Sequence, residues 1–172
     1  MVRGSPNPRY FGLPARLRRA RKQSGLTRAA LGSKVGRDSE VPGYVETGKR
    51  VPTVSTVERL ANGLGVSAAW LGFGLGDRLT EHGRSTCEGM GARLQLVRTE
   101  RGHSKAALAR LVQLSPSTVA DIEGGAQTGI EVVESLAKAL AISPAWLAFN
   151  EGPRELPKRR RAVGPAVASQ ST

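Results

Sequence analysis

The chain writes one pattern of residues twice, and that repeat limits its fold more than any other feature. The first copy runs through Arg16-Leu17, Arg21, Gly25-Leu26-Thr27, Ala30-Leu31, Val35, Val45-Glu46, Gly48, Leu60-Ala61, Leu64, Ser67, Trp70-Leu71 and Phe73. The second runs through Arg93-Leu94, Arg98, Gly102-His103-Ser104, Ala107-Leu108, Val112, Ile122-Glu123, Gly125, Leu136-Ala137, Leu140, Ser143, Trp146-Leu147 and Phe149. The offset is 77 as far as Gly125 and 76 from Leu136 onward, so one residue drops out of the loop after Gly125. Solenoid repeats run about 20–50 residues, so a unit of this length is a duplicated domain. At roughly 65 residues, each copy is near the lower size at which a domain buries enough apolar surface to fold.

Apolar spacing and punctuation predict five helices per copy. In copy 1, Leu13, Leu17 and Ala20 share a face of a helix that runs from Leu13 or Pro14 to Ser24, and Gly25 ends it. Thr27 caps a second helix reaching Gly36, with Ala30, Leu31 and Val35 turned inward. A short third helix ends at Gly48. The fourth follows Pro52, sets Val57, Leu60, Ala61 and Leu64 on one stripe, and stops at Gly65. Ser67 caps the fifth, which carries Trp70, Leu71 and Phe73. Copy 2 repeats this, with Met90, Leu94 and Val97 lining its first helix and Gly102 stopping it. Ser104 caps its second helix, and Ser115-Pro116 and Ser143-Pro144 each pair a cap with Pro at the first helical position. Trp70 and Trp146 occupy matching places on an apolar stripe and are expected in the core.

Both copies resemble the five-helix DNA-binding domain of the Cro and phage-repressor (XRE-like) type. The matching stretches are Leu26–Leu31 through Val45–Arg50 in copy 1 and Ser104–Leu108 through Ser115–Gly125 in copy 2. Each is followed by the corresponding fourth helix and by a Ser-x-Ala-Trp-Leu fifth helix. The resemblance implies an all-α protein of two tandem lambda-repressor-like helix-turn-helix domains. In that architecture one helix crosses the phosphate backbone and the next lies in the major groove. It implies phosphate contacts from Thr27, Arg28, Lys49, Arg50, Ser104 and Lys105. Its base-facing positions fall on Ser39, Glu40 and Tyr44 in copy 1 and on Pro116, Ser117 and Asp121 in copy 2.

Two departures from the family pattern bear on reading. Glu40 and Asp121 could accept from cytosine N4, but each must then approach a negatively charged duplex. Val41-Pro42-Gly43 stands where the family has a small polar residue, an apolar core residue and another small polar residue, and an interior Pro costs about 3 kcal/mol or more. With Ser39 as cap, Pro42 would fall in the first turn, where N–H groups lack partners anyway. The first reading helix is therefore expected to be shortened. The recurring pairs Arg21 with Glu46 and Arg98 with Glu123 are expected to form partly buried ion pairs tying the first and third helices.

The net charge of +12 and isoelectric point near 11.2 fit a polyanionic partner. That charge is uneven: residues 1–80 balance at +9, residues 87–151 at −1 and the remainder from Gly152 at +4. Cys87, the single cysteine, allows no intrachain disulfide and fits a reducing cytosol. No membrane span or secretory leader is visible. His82 and His103 with one cysteine match no zinc spacing, and Gly72–Gly76 follows a helix and lacks the Lys-Ser/Thr of a nucleotide loop. No catalytic arrangement is present, so neither enzymatic activity nor a cofactor is expected.

The expected division is a flexible arm over 1–12, a domain over 13–77, a linker over 78–89, a second domain over 90–153 and a disordered basic tail over 154–172. A fragment of helix is expected near Arg78–His82 in the linker. The expected function is sequence-specific binding of double-stranded DNA as a repressor-like transcription regulator in a bacterium or phage, cytoplasmic and nucleoid-associated. The two copies could form a built-in pseudo-dimer, and further homodimerisation stays open. The alternatives are a protein-interaction module, with copy 2 the candidate for a protein partner, or a non-specific architectural binder.

Overall fold

The computed structural model describes residues 8–36, 38–79 and 84–156. In copy 1 the helices are α1 (Leu13–Gln23), α2 (Arg28–Lys34), α3 (Val41–Glu46), α4 (Val54–Leu64) and α5 (Ala68–Phe73). In copy 2 they are α6 (Met90–Glu100), α7 (Lys105–Leu111), α8 (Pro116–Glu123), α9 (Ile130–Ala139) and α10 (Pro144–Phe149). No strand occurs among the described residues, so the fold is all-α. The caps have local causes. Thr27, Ser67, Ser104, Ser115 and Ser143 each accept from the backbone N–H three residues on, at 3.0–3.4 Å. Thr53 caps α4 in the same way. Each copy then closes on equivalent buried residues: Leu17 and Leu94, Leu31 and Leu108, Val45 and Ile122, Leu60 and Leu136, Leu71 and Leu147.

The copies pack on each other through α5 and α10, and the contacts come in mirrored pairs. Thr53 bridges to Gly129, its own counterpart, and Phe73 meets its counterpart Phe149 with ring centroids 6.2 Å apart. Val54 N–H donates to Thr128 O at 3.0 Å, and the equivalent Ile130 N–H donates to Pro52 O at 3.1 Å. Tyr10 N–H donates to Glu134 at 3.0 Å, and the equivalent Cys87 N–H donates to Glu58 at 3.3 Å. An interface in which position i meets position i, and i-to-j contacts are answered by j-to-i, is isologous. The chain therefore contains its own pseudo-twofold dimer.

Several expectations are corrected by this packing. Residues 9–12 of the supposed arm form a 3-10 turn (Arg9–Gly12) whose Arg9 and Tyr10 amides are held by Glu134 of copy 2. The supposed linker is partly structural: Ser85 is buried, donates to Glu151 at 2.5 Å, and exchanges two hydrogen bonds with Asn62. Arg78 and Leu79 carry no helix, while the rest of the helix expected there lies in residues 80–83, outside the described residues. The start of the supposed tail is also engaged, with Arg154 O accepting from Ser143 N–H at 2.7 Å and the Arg154 side chain pairing with Glu100. Lys158–Arg161 lie outside the described residues. Ala30 is exposed, because α2 turns Leu31 and Gly32 inward instead. Trp70 and Trp146 are half-buried, each packed on the core by one face with the Arg78 or Arg154 guanidinium 5.6 or 5.4 Å from its ring.

Candidate nucleic-acid interface

The third helix of each copy is tied to the first by a buried carboxylate. Glu46, whose side chain is fully buried, accepts from Arg21 Nε at 2.5 Å and Nη2 at 3.1 Å, and from Arg28 Nε at 2.9 Å. Arg18 stands 4.0 Å away. Burial alone would raise the Glu46 carboxyl, but hydrogen bonds from Arg21 and Arg28 overcome it and hold the group below its ordinary value. In copy 2, Arg98 Nε and Nη2 grip Glu123 at 2.5 and 3.2 Å, and Lys105 Nζ lies 3.6 Å off. Arg21 Nη1 and Arg98 Nη1 also donate to the carbonyls of Leu26 and His103, so the turn after the first helix is fixed by the same arginine.

The two third helices are built differently, and Pro42 is the reason. In copy 2, Ser115 caps an eight-residue helix and Val119 N–H returns to Ser115 O at 3.2 Å. The residue equivalent to Val119 is Pro42, which has no N–H to give. Asp38 O accepts from Val41 N–H instead, at 3.0 Å, so the first turn tightens and α3 is only six residues long. Shortening was expected, but the cap was not Ser39. The Asp38 carboxylate takes the Glu40 N–H at 3.0 Å. Pro42 itself is buried, filling the core place that Val119 fills in copy 2.

Five of the residues singled out in copy 1, Arg28, Ser39, Glu40, Tyr44 and Lys49, line one open groove of about 370 Å³ between α2 and α3. Within it the Tyr44 hydroxyl donates to the Glu40 carboxylate, and the Arg50 guanidinium sits 5.0 Å from the Tyr44 ring. The Tyr44 phenol is accordingly raised, by its hydrogen bond to Glu40 above all. Thr27 faces solvent at the start of α2, its hydroxyl oxygen engaged by the Ala30 amide. In copy 2, Pro116, Ser117 and Asp121 are all exposed on α8. The Ser117 hydroxyl lies 2.8 Å from Ser115 Oγ, while the Asp121 carboxylate has no hydrogen-bond partner or ion pair among the described residues. Ser104 and Lys105 are exposed at the start of α7.

Two arginines, one in each copy, are structural. Arg16 donates to the Leu71 and Gly72 carbonyls at 2.8 and 2.7 Å, and Arg93 donates to those of Leu147 and Ala148 at 3.0 Å each. They close the carbonyl ends of α5 and α10 against the first helix of the same copy. Desolvation lowers both guanidinium groups from their ordinary value, although they remain charged. Their recurrence at the 77-residue offset was the available signal, since the repeat opens on them. Asp38 stood in register with the cap Ser115 and could have been found in that way.

Among the described residues no helix is long and apolar enough to cross a membrane, and no cluster of three His, Cys, Asp or Glu could hold a metal ion. No curated protein and no solved structure matches the chain. A family model described as a helix-turn-helix domain matches twice, over residues 13–71 and 90–148. Those spans take in α1–α5 up to Leu71 and α6–α10 up to Ala148, and together they cover most of the sequence. The chain belongs to the helix-turn-helix domain family, which it carries in two tandem copies.

Proposed function

We propose that this chain is a sequence-specific, double-stranded DNA-binding regulator of transcription of the Cro and phage-repressor type. One polypeptide supplies both halves of the dimer, acts in the cytoplasm on the nucleoid, and performs no catalysis. The observation that carries the reading is the mirrored interface between two helix-turn-helix copies. A twofold axis leaves α3 and α8 at the same height along it, which matches the local dyad of duplex DNA. Pairing of Thr53 with Gly129 sets this axis between the loops that follow the two helices. Seven residues run from Glu46 to Thr53 and six from Glu123 to Gly129. At about 3.3–3.6 Å per residue, the ends of α3 and α8 lie within roughly 50 Å of each other. Half-sites one helical turn apart, about 34–36 Å, are therefore within reach.

The phosphate contacts we assign are Thr27, Arg28, Lys49 and Arg50 in copy 1 and Ser104 and Lys105 in copy 2. Selection of duplexes from a random pool by the full chain, followed by mass measurement of the complex, tests the proposal. The expected result is a two-part motif bound by one chain. Inserting about half a helical turn between the parts should abolish binding, because the interface fixes the spacing. A flat sequence profile would leave an architectural binder, and two chains per duplex would overturn the single-chain dimer. A protein-interaction role for copy 2 is favoured by the exposed Leu96 and Leu111 on α6 and α7. Loss of DNA binding by the whole chain would support it.

A further inference from the structure

Resting on the DNA-binding reading above, we infer that the two copies do unequal work: copy 1 supplies most of the hold on phosphate and the weaker half of the motif, and copy 2 supplies the sharper half, with the Asp121 carboxylate accepting the N4 amino hydrogen of a cytosine. The charge comparison comes first. Copy 1 exposes Arg18, Arg19, Lys22, Arg28 and Lys34, where copy 2 has Gln95, Leu96, Thr99, Lys105 and Leu111. Lys49-Arg50-Val51 is matched by Ala126-Gln127 across the shortened loop. Of these copy 1 cations, only Arg28 has a charged counterpart, Lys105. Copy 2 gains Arg101, Arg110 and Lys138, of which Arg101 lies against Glu155. Phosphate contacts hold a protein on DNA without choosing sequence, so the anchoring capacity is concentrated in copy 1.

The reading surfaces differ in the opposite sense. In copy 1 the polar groups of α3 satisfy each other: the Tyr44 hydroxyl occupies the Glu40 carboxylate, and Arg50 sits over the Tyr44 ring. The six-residue helix begins with a tightened turn around Pro42. In copy 2 an eight-residue, Ser-capped helix holds Asp121 outward, with no partner among the described residues. An ionised carboxylate is acceptor-only. In the major groove, guanine offers two acceptors and thymine one, and both repel it. Adenine places an acceptor beside its donor, and cytosine presents the N4 amino group as its donor. A carboxylate near phosphates cannot hold itself there. The isologous interface keeps copy 2 beside an anchored copy 1 and so supplies the effective concentration it lacks.

Selection from a random duplex pool with the full-length chain and two variants decides the matter, with helical content monitored by circular dichroism. Asp121 is exposed, so Asp121→Asn should fold. Wild type should select a motif with a required C·G pair in one half-site. Asp121→Asn should lose about 10- to 100-fold on that site and shift the preference at that one position to A·T, since Asn suits adenine N6 and N7. Glu40→Gln should leave the motif unchanged. A sharp motif that Asp121→Asn does not alter, or that Glu40→Gln does, overturns the division while leaving sequence-specific binding intact. A flat profile for wild type overturns the division and the sequence-specific reading together.

Discussion

Copy 1 and copy 2 bury apolar side chains at equivalent places and differ more in what they expose. Leu17 and Leu94, Leu31 and Leu108, Val57 and Val133, and Leu60 and Leu136 have next to no exposed surface, whereas Arg19 and Lys34 face solvent where Leu96 and Leu111 do. A core position is constrained by every neighbour around it, so change there costs stability. A surface position touches little, and its charge can drift toward whatever that face meets. Where the copies do differ inside, the difference is compensated locally. Gly32 stands in place of Ala109, and the backbone of Asp38 and Ser39 occupies the space that a side chain would take. That loop sits close because Pro42 has tightened the turn leading into α3.

The largest expected effect tests the buried carboxylates. Glu46→Ala would strand Arg21 and Arg28, and losing one partner of a buried pair costs about 3–5 kcal/mol. Glu123 holds one arginine closely and a lysine at 3.6 Å, so Glu123→Ala should cost less. Denaturant midpoints of the two full-length variants compare them directly. A larger loss for Glu123→Ala would reverse the asymmetry.

A smaller effect belongs to the loop. In Gly32→Ala the new Cβ would lie 2.6 Å from Ser39 Cα and 2.8 Å from Asp38 O, both backbone atoms that cannot swing aside. Overpacking of this kind costs about 1–3 kcal/mol. The reciprocal Ala109→Gly should cost about 1–2 kcal/mol, the helix penalty of glycine plus the loss of one buried methyl group. If Gly32→Ala proved neutral in thermal unfolding, the close approach of the two segments would be in doubt.

Next comes salt. Removing two phosphate contacts in Lys49→Ala/Arg50→Ala should reduce the log–log slope by roughly 1.8, which is about tenfold less affinity change between 50 and 200 mM salt. Lys105→Ala in copy 2 should reduce it by no more than about 0.9. Equal effects from the two copies, read by duplex titration of the full chain, would remove the anchoring role of copy 1.

The smallest expected effect is on acid stability. The folded Glu46 carboxyl lies below its ordinary value, so its stabilisation is present above the ordinary carboxylate range and disappears as pH falls through the lowered folded value. Melting temperatures of wild type should therefore fall more steeply below that range than those of Glu46→Gln. Parallel curves would mean that the pairing gives no pH-linked stability.

What the sequence determined by itself was the content of each copy. Ser and Thr caps, glycine stops and helical apolar spacing are local, since each acts within a turn or two of the chain. The five-helix pattern, its cores and the pairing of Arg21 with Glu46 and of Arg98 with Glu123 could be read from them, and the repeat read each one twice. Contacts between distant segments could not be read so. Nothing near Arg9 or Tyr10 points to Glu134, more than 120 residues away, and nothing near Ser85 points to Glu151. Trp70 and Trp146 carry the apolar spacing of core residues, yet only the packed structure leaves one face of each open to an arginine. The engagement of Glu40 by Tyr44 depends on where Pro42 lets α3 begin, and the dimer within the chain depends on the faces of α5 and α10 meeting. Those outcomes belong to tertiary structure, because a side chain's partner is set by which surfaces the whole chain brings together.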